Sequence, residues 1–537
     1  MIDLPDNMLI SRLKRWSAPD EYILPLLLIG VIWLNRHMVS KVMAAIPMGY
    51  DGALIEIEGD ANRGLPGFQV VGMGGKTIDE AKERVRSAIN NSCLEFPNKK
   101  ITINLAPAEL AKDGSHLDLP IALSVLVLSG QLRQREVDGK MFVGELALDG
   151  TIRPIRGIIN IVEIAHKRGV DTVFVPIDNL EQARLIPQVK IVGVKSLKEL
   201  FLHLKGEQLI ELPIATNAYV GKKSAGVFID HVMGQEQAKR AMIIAIAGRH
   251  NILISGPPGA GKTMLARAAT NLLPDPSDKE IVAITKIHSI AGSSSEIMRS
   301  RPFRTPHHTS SIASVVGGGS KPQPGEISLA HHGVLFLDEM PEYPRSVLEA
   351  LRQPLEDKVI TISRTGYKVN YPADFMLMAT MNPCPCGFLG DTDKECTCTT
   401  AQVLSYQKKL SGPLLDRIDM LVTVAKVPNK DLLKSNKLSL PQHTEAKKLI
   451  DKAKHKQFSR YGSSDTYNSS LASNAVSRHI RLTDSAQDLL SKASEKMSLS
   501  ARAYFKVIKV ARTIADLDDE NNVDVCHVGE ALQYRQR

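Results

Sequence analysis

Aromatic residues are scarce in this chain, 5% of 537 with only two tryptophans, so its cores must be built from aliphatic side chains. Cysteine is scarcer still. Six in a chain of this length exclude a disulfide framework of the secreted kind and suit a reducing cytoplasm. No large excess of one charge is present: 67 Lys and Arg against 58 Asp and Glu leave +9. That balance permits a polyanionic partner without demanding one, because a solvated basic surface accounts for it equally. No apolar run reaches the roughly 20 residues that cross a bilayer. The longest, Tyr22 to Leu34, follows Arg12, Lys14 and Arg15 and precedes Arg36. It reads either as part of an upstream extension, residues 1–37, ahead of a start at Met38, or as a peripheral membrane anchor; no small-x-small cleavage site follows to make it a signal peptide. No stable membrane insertion is expected, and the rest of the chain reads as cytoplasmic.

What is present is α/β alternation on a length suited to three or four domains. Ala53 to Glu58 alternates like a half-buried strand, and Thr77-Ile78-Asp79-Glu80 has the pattern of a capping box opening a helix to about Asn90. Strands over Ile101–Leu105, Met141–Leu148 and Thr172–Val175 and helices over Leu119–Leu128 and Ile158–Arg168 complete a first α/β domain, 38–204. Residues 205–229 lack periodicity and read as a linker. Strands and helices alternate again over 230–428, the pattern of a parallel sheet. Residues 429–537 are basic and helical, with a Ser/Asn-rich stretch from Tyr461 to Asn474 read as a mobile loop and helices from Thr483 to Gln533.

The second of these domains carries the chemistry. Ile252 to Ser255 is a short apolar strand that runs into Gly256-Pro257-Pro258-Gly259-Ala260-Gly261-Lys262-Thr263 and a helix from Met264. This is a phosphate-binding loop in its required strand, loop and helix setting. The glycines let backbone N–H groups face phosphates, Lys262 reaches the β and γ oxygens of ATP, and the Thr263 hydroxyl ligates Mg²⁺. A second glycine stretch, Gly74-Gly75-Lys76-Thr77, has Val70 where the motif needs glycine and reads as a turn. Gly333 to Glu339 is an apolar strand ending in two acids, with Asp338 placed for the Mg²⁺ shell and Glu339 for polarising the attacking water. Phe375 to Asn382 is another buried strand, ending in an amide placed to orient that water.

Three further segments carry a resemblance: Arg301-Pro302-Phe303-Arg304-Thr305-Pro306-His307-His308-Thr309-Ser310, Pro324-Gly325-Glu326-Ile327-Ser328-Leu329-Ala330-His331 after Gly317-Gly318-Gly319, and Ser411-Gly412-Pro413-Leu414-Leu415-Asp416-Arg417-Ile418-Asp419. On these residues the chain, from about Val39, resembles the YifB/ComM family of Mg-chelatase-like AAA+ ATPases, competence-associated branch-migration helicases. The resemblance implies an ATPase domain followed by a C-terminal helical lid. It implies that Arg417 points at the ATP of a neighbouring subunit and that Arg502 reaches its own subunit's nucleotide; a surface ion pair is the alternative for either. It also implies a hexameric ring around DNA gripped without regard to sequence, and here the loop with Arg301, Arg304, His307 and His308 and the hairpin Val359–Tyr371 with Arg364 and Lys368 are the pore candidates. Packing between subunits is the alternative for these loops.

The first domain resembles the protease domain of Lon over Gly144 to Ile155. Matching that fold puts His116 where the nucleophilic serine belongs, with Ser115 beside it, and Ile159 where the activating lysine belongs, so the domain is expected to be a non-proteolytic scaffold. Cys384-Pro385-Cys386 and Cys396-Thr397-Cys398 supply four thiolates for a structural Zn²⁺; reduced free cysteines or a redox-sensitive loop are the alternative, since one-residue gaps are tighter than usual zinc spacing. The function expected is an ATP-driven DNA motor. Its competitors are the ATPase subunit of a magnesium chelatase, whose partner needs a D-x-S-x-S segment absent here, and a protein-remodelling ATPase.

Overall fold

The structure is a computed structural model that describes residues 39–72, 75–110, 112, 115–211, 226–292, 296–319, 322–364, 367–391, 394–426, 441–463 and 465–535. The apolar segment Tyr22 to Leu34 and most of the expected linker lie outside the described residues. Among the described residues, no helix is long and apolar enough to cross a membrane.

The N-terminal sheet starts with a hairpin. β1 (Val39–Met48) pairs antiparallel with β2 (Asp51–Asn62), from Val39 opposite Asp60 to Met48 opposite Asp51. The two residues between them need a left-handed start, which Gly49 supplies at φ +60°. Five more strands extend it: β3 (Gly67–Val71), β4 (Lys100–Ala106), β5 (Lys140–Phe142), β6 (Thr172–Pro176) and β7 (Lys190–Val194), in the order β3-β4-β2-β1-β5-β6-β7. Helices α1 (Gly75–Asn91) and α2 (Asp118–Leu128) pack together over one side; α2 is apolar apart from Asp118 and Ser124, and every residue of it is buried. On the other side α3 (Ile158–Lys167) covers β1 and β2. Helix α1 begins two residues before Thr77, so that residue lies inside it. The single strand expected over Met141 to Leu148 is broken: β5 ends at Phe142, and Glu145–Leu146 pairs instead with Ile152–Arg153. Gly144 makes the break, since a Cβ there would lie 2.7 Å from Ile152 Cγ2 and its carbonyl accepts Leu119 N–H.

The second sheet has five strands, all parallel. In spatial order they are β9 (Phe303–Arg304), β10 (Val334–Leu337), β13 (Met376–Met381), β8 (Ile252–Ser255) and β14 (Met420–Thr423). A parallel strand covered on both faces needs an unbroken apolar run, and all six residues of β13 are buried. Strands β11 (Val359–Arg364) and β12 (Tyr367–Pro372) project as a separate hairpin. Helix α4 (Glu236–Gly248) feeds β8, α5 (Lys262–Thr270) leaves the loop after it, and α6 (Asp278–Ala291) follows.

The C-terminal region is helical: α7 (Pro441–Tyr461), α8 (Asp484–Lys496), α9 (Ala501–Leu517) and α10 (Val525–Gln533), the last three capped by Thr483, Ser500 and Asp524 side chains. These helices share one core with the sheet, where Ile252, Ile254 and Met378 meet Ile450, Val510 and Ile514. The stretch read as mobile is pinned, because Asn468 is buried and bonds Gln457, Thr513 and Asp516. The junction also buries His250, whose Nε2 lies 2.7 Å from Thr513 Oγ1 and whose Nδ1 lies 3.8 Å from the Asp419 carboxylate. Lys506 neutralises that carboxylate at 2.8 Å.

Burial lowers the His250 pKa from 6.5 to about 4, against the pull of Asp419. Between these values an unfolded chain takes up a proton that the folded one refuses, so stability falls as pH falls through that window, by an amount of order 3 kcal/mol for this group. The melting temperature should drop between about pH 7 and pH 5, and drop less in His250→Gln; equal drops in both would exonerate His250.

Candidate functional site

Parallel strands end together, and here that places the chemistry. The register sets Leu337 beside Ala379 and Ser255 beside Met381, so the residues after β8, β10 and β13 emerge along one edge. Gly256 donates its N–H to Met381 O at 3.2 Å, and any Cβ on it would strike Val424 O at 2.4 Å. The loop then curls through Gly259 and Gly261, both left-handed at φ +77° and +80°. Pro257 and Pro258 stiffen its rise, Ala260 is buried, and Met264 lies partly exposed in the first turn of α5.

Lys262 opens that helix and is 9% exposed. Its ammonium donates to Gly256 O at 2.6 Å, Pro257 O at 3.0 Å and Asn382 Oδ1 at 2.9 Å. Burial holds its pKa below the usual lysine value, with Asp338 and Glu339 pulling it back up. Thr263 Oγ1 donates to Asp338 Oδ2 at 2.9 Å. The other Asp338 oxygen accepts from Thr380 Oγ1 at 2.5 Å, and Thr380 in turn accepts the Glu339 N–H at 2.9 Å. Glu339 is left-handed at φ +51°, a costly state for a non-glycine residue that turns it out of the strand direction. Two hard oxygen donors, Thr263 and Asp338, thus stand together beside a cationic loop, the donor set a Mg²⁺ bound to phosphates uses.

Arg417 and Arg502 lie elsewhere. Asn251, just ahead of β8, donates through Nδ2 to Arg417 O at 3.2 Å and through its own N–H to Asp419 Oδ2 at 2.9 Å. The whole length of β8, roughly 13 Å at 3.3 Å per residue, separates this edge from Gly256. The Arg417 guanidinium pairs with Glu356 and donates to Pro413 O at 2.7 Å. Arg502 pairs with the same Glu356 and with Asp416 at 3.5 Å. The Arg502 partners, Glu356 and Asp416, lie outside the phosphate loop.

The chain matches the family described as magnesium chelatase, subunit ChlI, over residues 229–432, and the families of its N-terminal portion, subunit ChlI of Mg-chelatase, over 57–179 and of subunit ChlI C-terminal over 442–535. It is 40% identical over 506 residues to the competence protein ComM of Haemophilus influenzae, across 93% of this chain and 97% of the relative. It is equally similar, over 500 residues, to the uncharacterized protein YifB of Escherichia coli. The chain belongs to the ComM/YifB family of magnesium-chelatase-like AAA+ ATPases. Membership implies ATP and Mg²⁺ as its ligands. Shorter similarities link it to the Lon protease of Leptospira interrogans, 29% over 167 residues and 30% of this chain, and to the magnesium-chelatase 67 kDa subunit of Chlorobaculum parvum, 28% over 156 residues.

Of the candidate pore residues, Arg301 is buried and Arg304 is paired within the fold. Arg301 has a side chain 4% exposed and makes a bidentate pair with Glu280 at 2.8 and 2.7 Å, besides bonds to Pro274 O and His332 O. Burial would raise the Glu280 pKa, but Arg301 holds it at about 2. Removing either partner leaves a buried charge unpaired, a loss of about 3–5 kcal/mol. Arg304 is likewise bidentate to Glu326 at 2.6 and 2.7 Å. Their spacing resembled a basic loop, but each has its own carboxylate in the fold. His307 remains exposed with its ring 4.2 Å from that of His308, and Lys368 is exposed on the hairpin; the Arg364 side chain lies outside the described residues.

In the Lon-like region Ile159 is fully buried in an aliphatic core, His116 Nε2 lies 3.3 Å from Arg156 O, and Ser115 donates to the Glu145 carboxylate. Among the described residues no lysine bonds Ser115 or His116. The four cysteines do converge. Their sulfurs all lie within 4.8 Å of one another, with Cys384, Cys386 and Cys396 separated by 3.4 to 3.6 Å. Tetrahedral zinc with Zn–S near 2.3 Å places sulfurs about 3.8 Å apart, so the set fits that ion.

Thr380 is the site residue that sequence reasoning passed over, being one polar side chain inside an apolar strand. Thr380→Val should cut ATP hydrolysis about tenfold to a hundredfold and raise the Mg²⁺ needed for half-maximal rate, while nucleotide binding measured by fluorescence titration changes little; wild-type Mg²⁺ dependence would sink this role.

Proposed function

We propose that this protein is an ATP-driven DNA motor, a branch-migration helicase of recombination or natural transformation, working as a homo-oligomeric, hexameric ring around branched or single-stranded DNA. One observation carries the shared-site arrangement: Lys262, Asp338, Glu339 and Asn382 gather at one end of the sheet, while Arg417 and Arg502 share Glu356 at the other. A cation there can meet a phosphate only across a contact with a second copy. The competence protein ComM, similar over nearly all of both chains, supports DNA as the substrate.

In this reading the residues divide the work as follows. Lys262 exchanges the carbonyls of Gly256 and Pro257 for the β and γ oxygens of ATP, and the loop from Gly256 to Met264 holds the phosphates through the N–H groups of its Gly259 to Met264 half. Thr263 and Asp338 hold the Mg²⁺, which neutralises charge on the phosphates. Glu339 polarises the attacking water and Asn382 orients it. Arg417 and Arg502, both from the neighbouring subunit, stabilise charge on the γ-oxygens. Lys368 and His307 contact DNA phosphates. The domain over 38–204 is a scaffold joined to the ATPase domain over 230–428, with 429–537 as its helical companion and zinc on the four cysteines. The chelatase reading keeps the support of the family description and of the 28% similarity to a chelatase subunit. That similarity covers less than a third of the chain, against 93% for ComM.

Lys262→Ala and Arg417→Ala should each abolish ATP hydrolysis. Mixed in equal amounts, they should regain activity, because about a quarter of the contacts then join an intact loop to an intact arginine. A mixture as inactive as its components would refute the shared site. A Holliday junction should raise the wild-type rate several-fold; indifference to DNA would favour the chelatase or protein-remodelling reading.

A further inference from the structure

The cysteine knuckle is not an independent appendage of the ATPase domain. Strand β13 ends at Met381, Asn382 bonds Lys262, and Cys384 follows two residues later, fully buried. The chain then turns back on itself: Cys384 O accepts from Gly387 N at 3.0 Å, and Cys384 Sγ accepts from Leu389 N at 3.3 Å. At the apex of this turn Gly387 is left-handed at φ +85° and rests directly on the phosphate loop. A Cβ on Gly387 would lie 2.7 Å from both Cγ and Cδ of Pro258 and 4.0 Å from Asn382 Cγ. Only a hydrogen fits between the knuckle, the loop and the amide that holds Lys262.

Among the described residues the turn is otherwise held by surface contacts, Gln407 Nε2 to Pro383 O at 3.4 Å and Lys394 over the Phe388 ring. Cys386, Cys396 and Cys398 are only partly buried, Leu389 is 42% exposed, and no disulfide joins the four thiols. A segment without an apolar core needs a cross-link to hold its position, and four sulfurs within 4.8 Å around one point offer it through a single tetrahedral ion.

We propose that zinc on Cys384, Cys386, Cys396 and Cys398 is a strut for the nucleotide site: metal occupancy presses Gly387 against Pro258 and keeps Asn382 on Lys262, so that the affinity for ATP depends on an ion that touches neither ATP nor Mg²⁺. The proposal rests on the loop being the nucleotide site, and not on the DNA-motor reading. Loss of zinc releases the turn, lets Pro258 move and frees the amide, and it weakens nucleotide binding without unfolding the sheet.

The test uses the full chain purified without chelator, with metal content read by atomic emission and binding read with a fluorescent ATP analogue. The wild type should carry about one zinc per chain. Cys384→Ser/Cys386→Ser should lose the zinc and bind the analogue about tenfold or more weakly, with the far-ultraviolet circular dichroism unchanged. Gly387→Val separates the strut from the ion: it should keep zinc yet bind the analogue as weakly as the cysteine variant. Zinc-free wild type, or either variant binding the analogue with wild-type affinity, would overturn the strut. Zinc-dependent nucleotide binding in a protein whose hydrolysis ignores DNA would leave the strut standing and remove the motor.

Discussion

The parallel alignment of β8, β10 and β13 is the constraint on which the rest of the molecule depends. Each strand is short and apolar, and each is followed at its C-terminal end by a residue that starts the site: Gly256, Asp338 and Asn382. Because the strands run the same way and end in register, three segments distant in sequence deliver an ammonium, two carboxylates, an amide and a hydroxyl to one edge. An antiparallel arrangement would scatter them between two edges. Burial of the sheet on both faces enforces the register, since slipping one strand by one residue would turn its apolar side chains onto the wrong layers.

The same constraint sets Arg417 and Arg502 apart from the phosphate loop within one copy of the chain. Arg417 precedes β14 and therefore belongs to the edge where strands begin. Arg502 joins it there because the C-terminal helices are fused to the sheet through a common aliphatic core and a buried polar layer of His250, Thr513, Asn468, Asp516 and Arg460. Glu356, paired with both arginines, presents them as one cationic unit while they have no phosphate to meet. One carboxylate shared between them keeps the two guanidinium groups side by side.

The Lon-like region enters this scheme mechanically. Lys286 of α6 pairs with Glu163 of α3 and lies 3.9 Å from the Tyr50 ring centroid, and a Cβ on Gly49 would collide with Val369 of the projecting hairpin. The first turn of the N-terminal sheet is thus seated against the hairpin that carries Lys368. Where the Lon protease domain needs a serine and a lysine this fold holds His116 and Ile159, and its first turn packs on the ATPase domain's hairpin.

Much of this was legible in the residues themselves. The phosphate loop, the acidic strand end, the amide after β13 and the α/β alternation are local patterns, each written in ten or so consecutive residues, and the residues named for them meet in the structure. What misled was everything settled by partners far away in sequence. Arg301 and Arg304 read as a basic loop, but Glu280 and Glu326 pair with them; the stretch around Asn468 reads as mobile, but Asp516 and Thr513 lie beneath it. Thr380 was invisible because a lone hydroxyl in an apolar strand gains meaning only from the carboxylate beside it. Sequence alone determined which groups could bind a nucleotide, since strand, glycine turn and lysine are adjacent in the chain. Tertiary structure alone decided which charges are already spent and at which end of the sheet each arginine stands, because pairing energy depends on distances that no local pattern encodes.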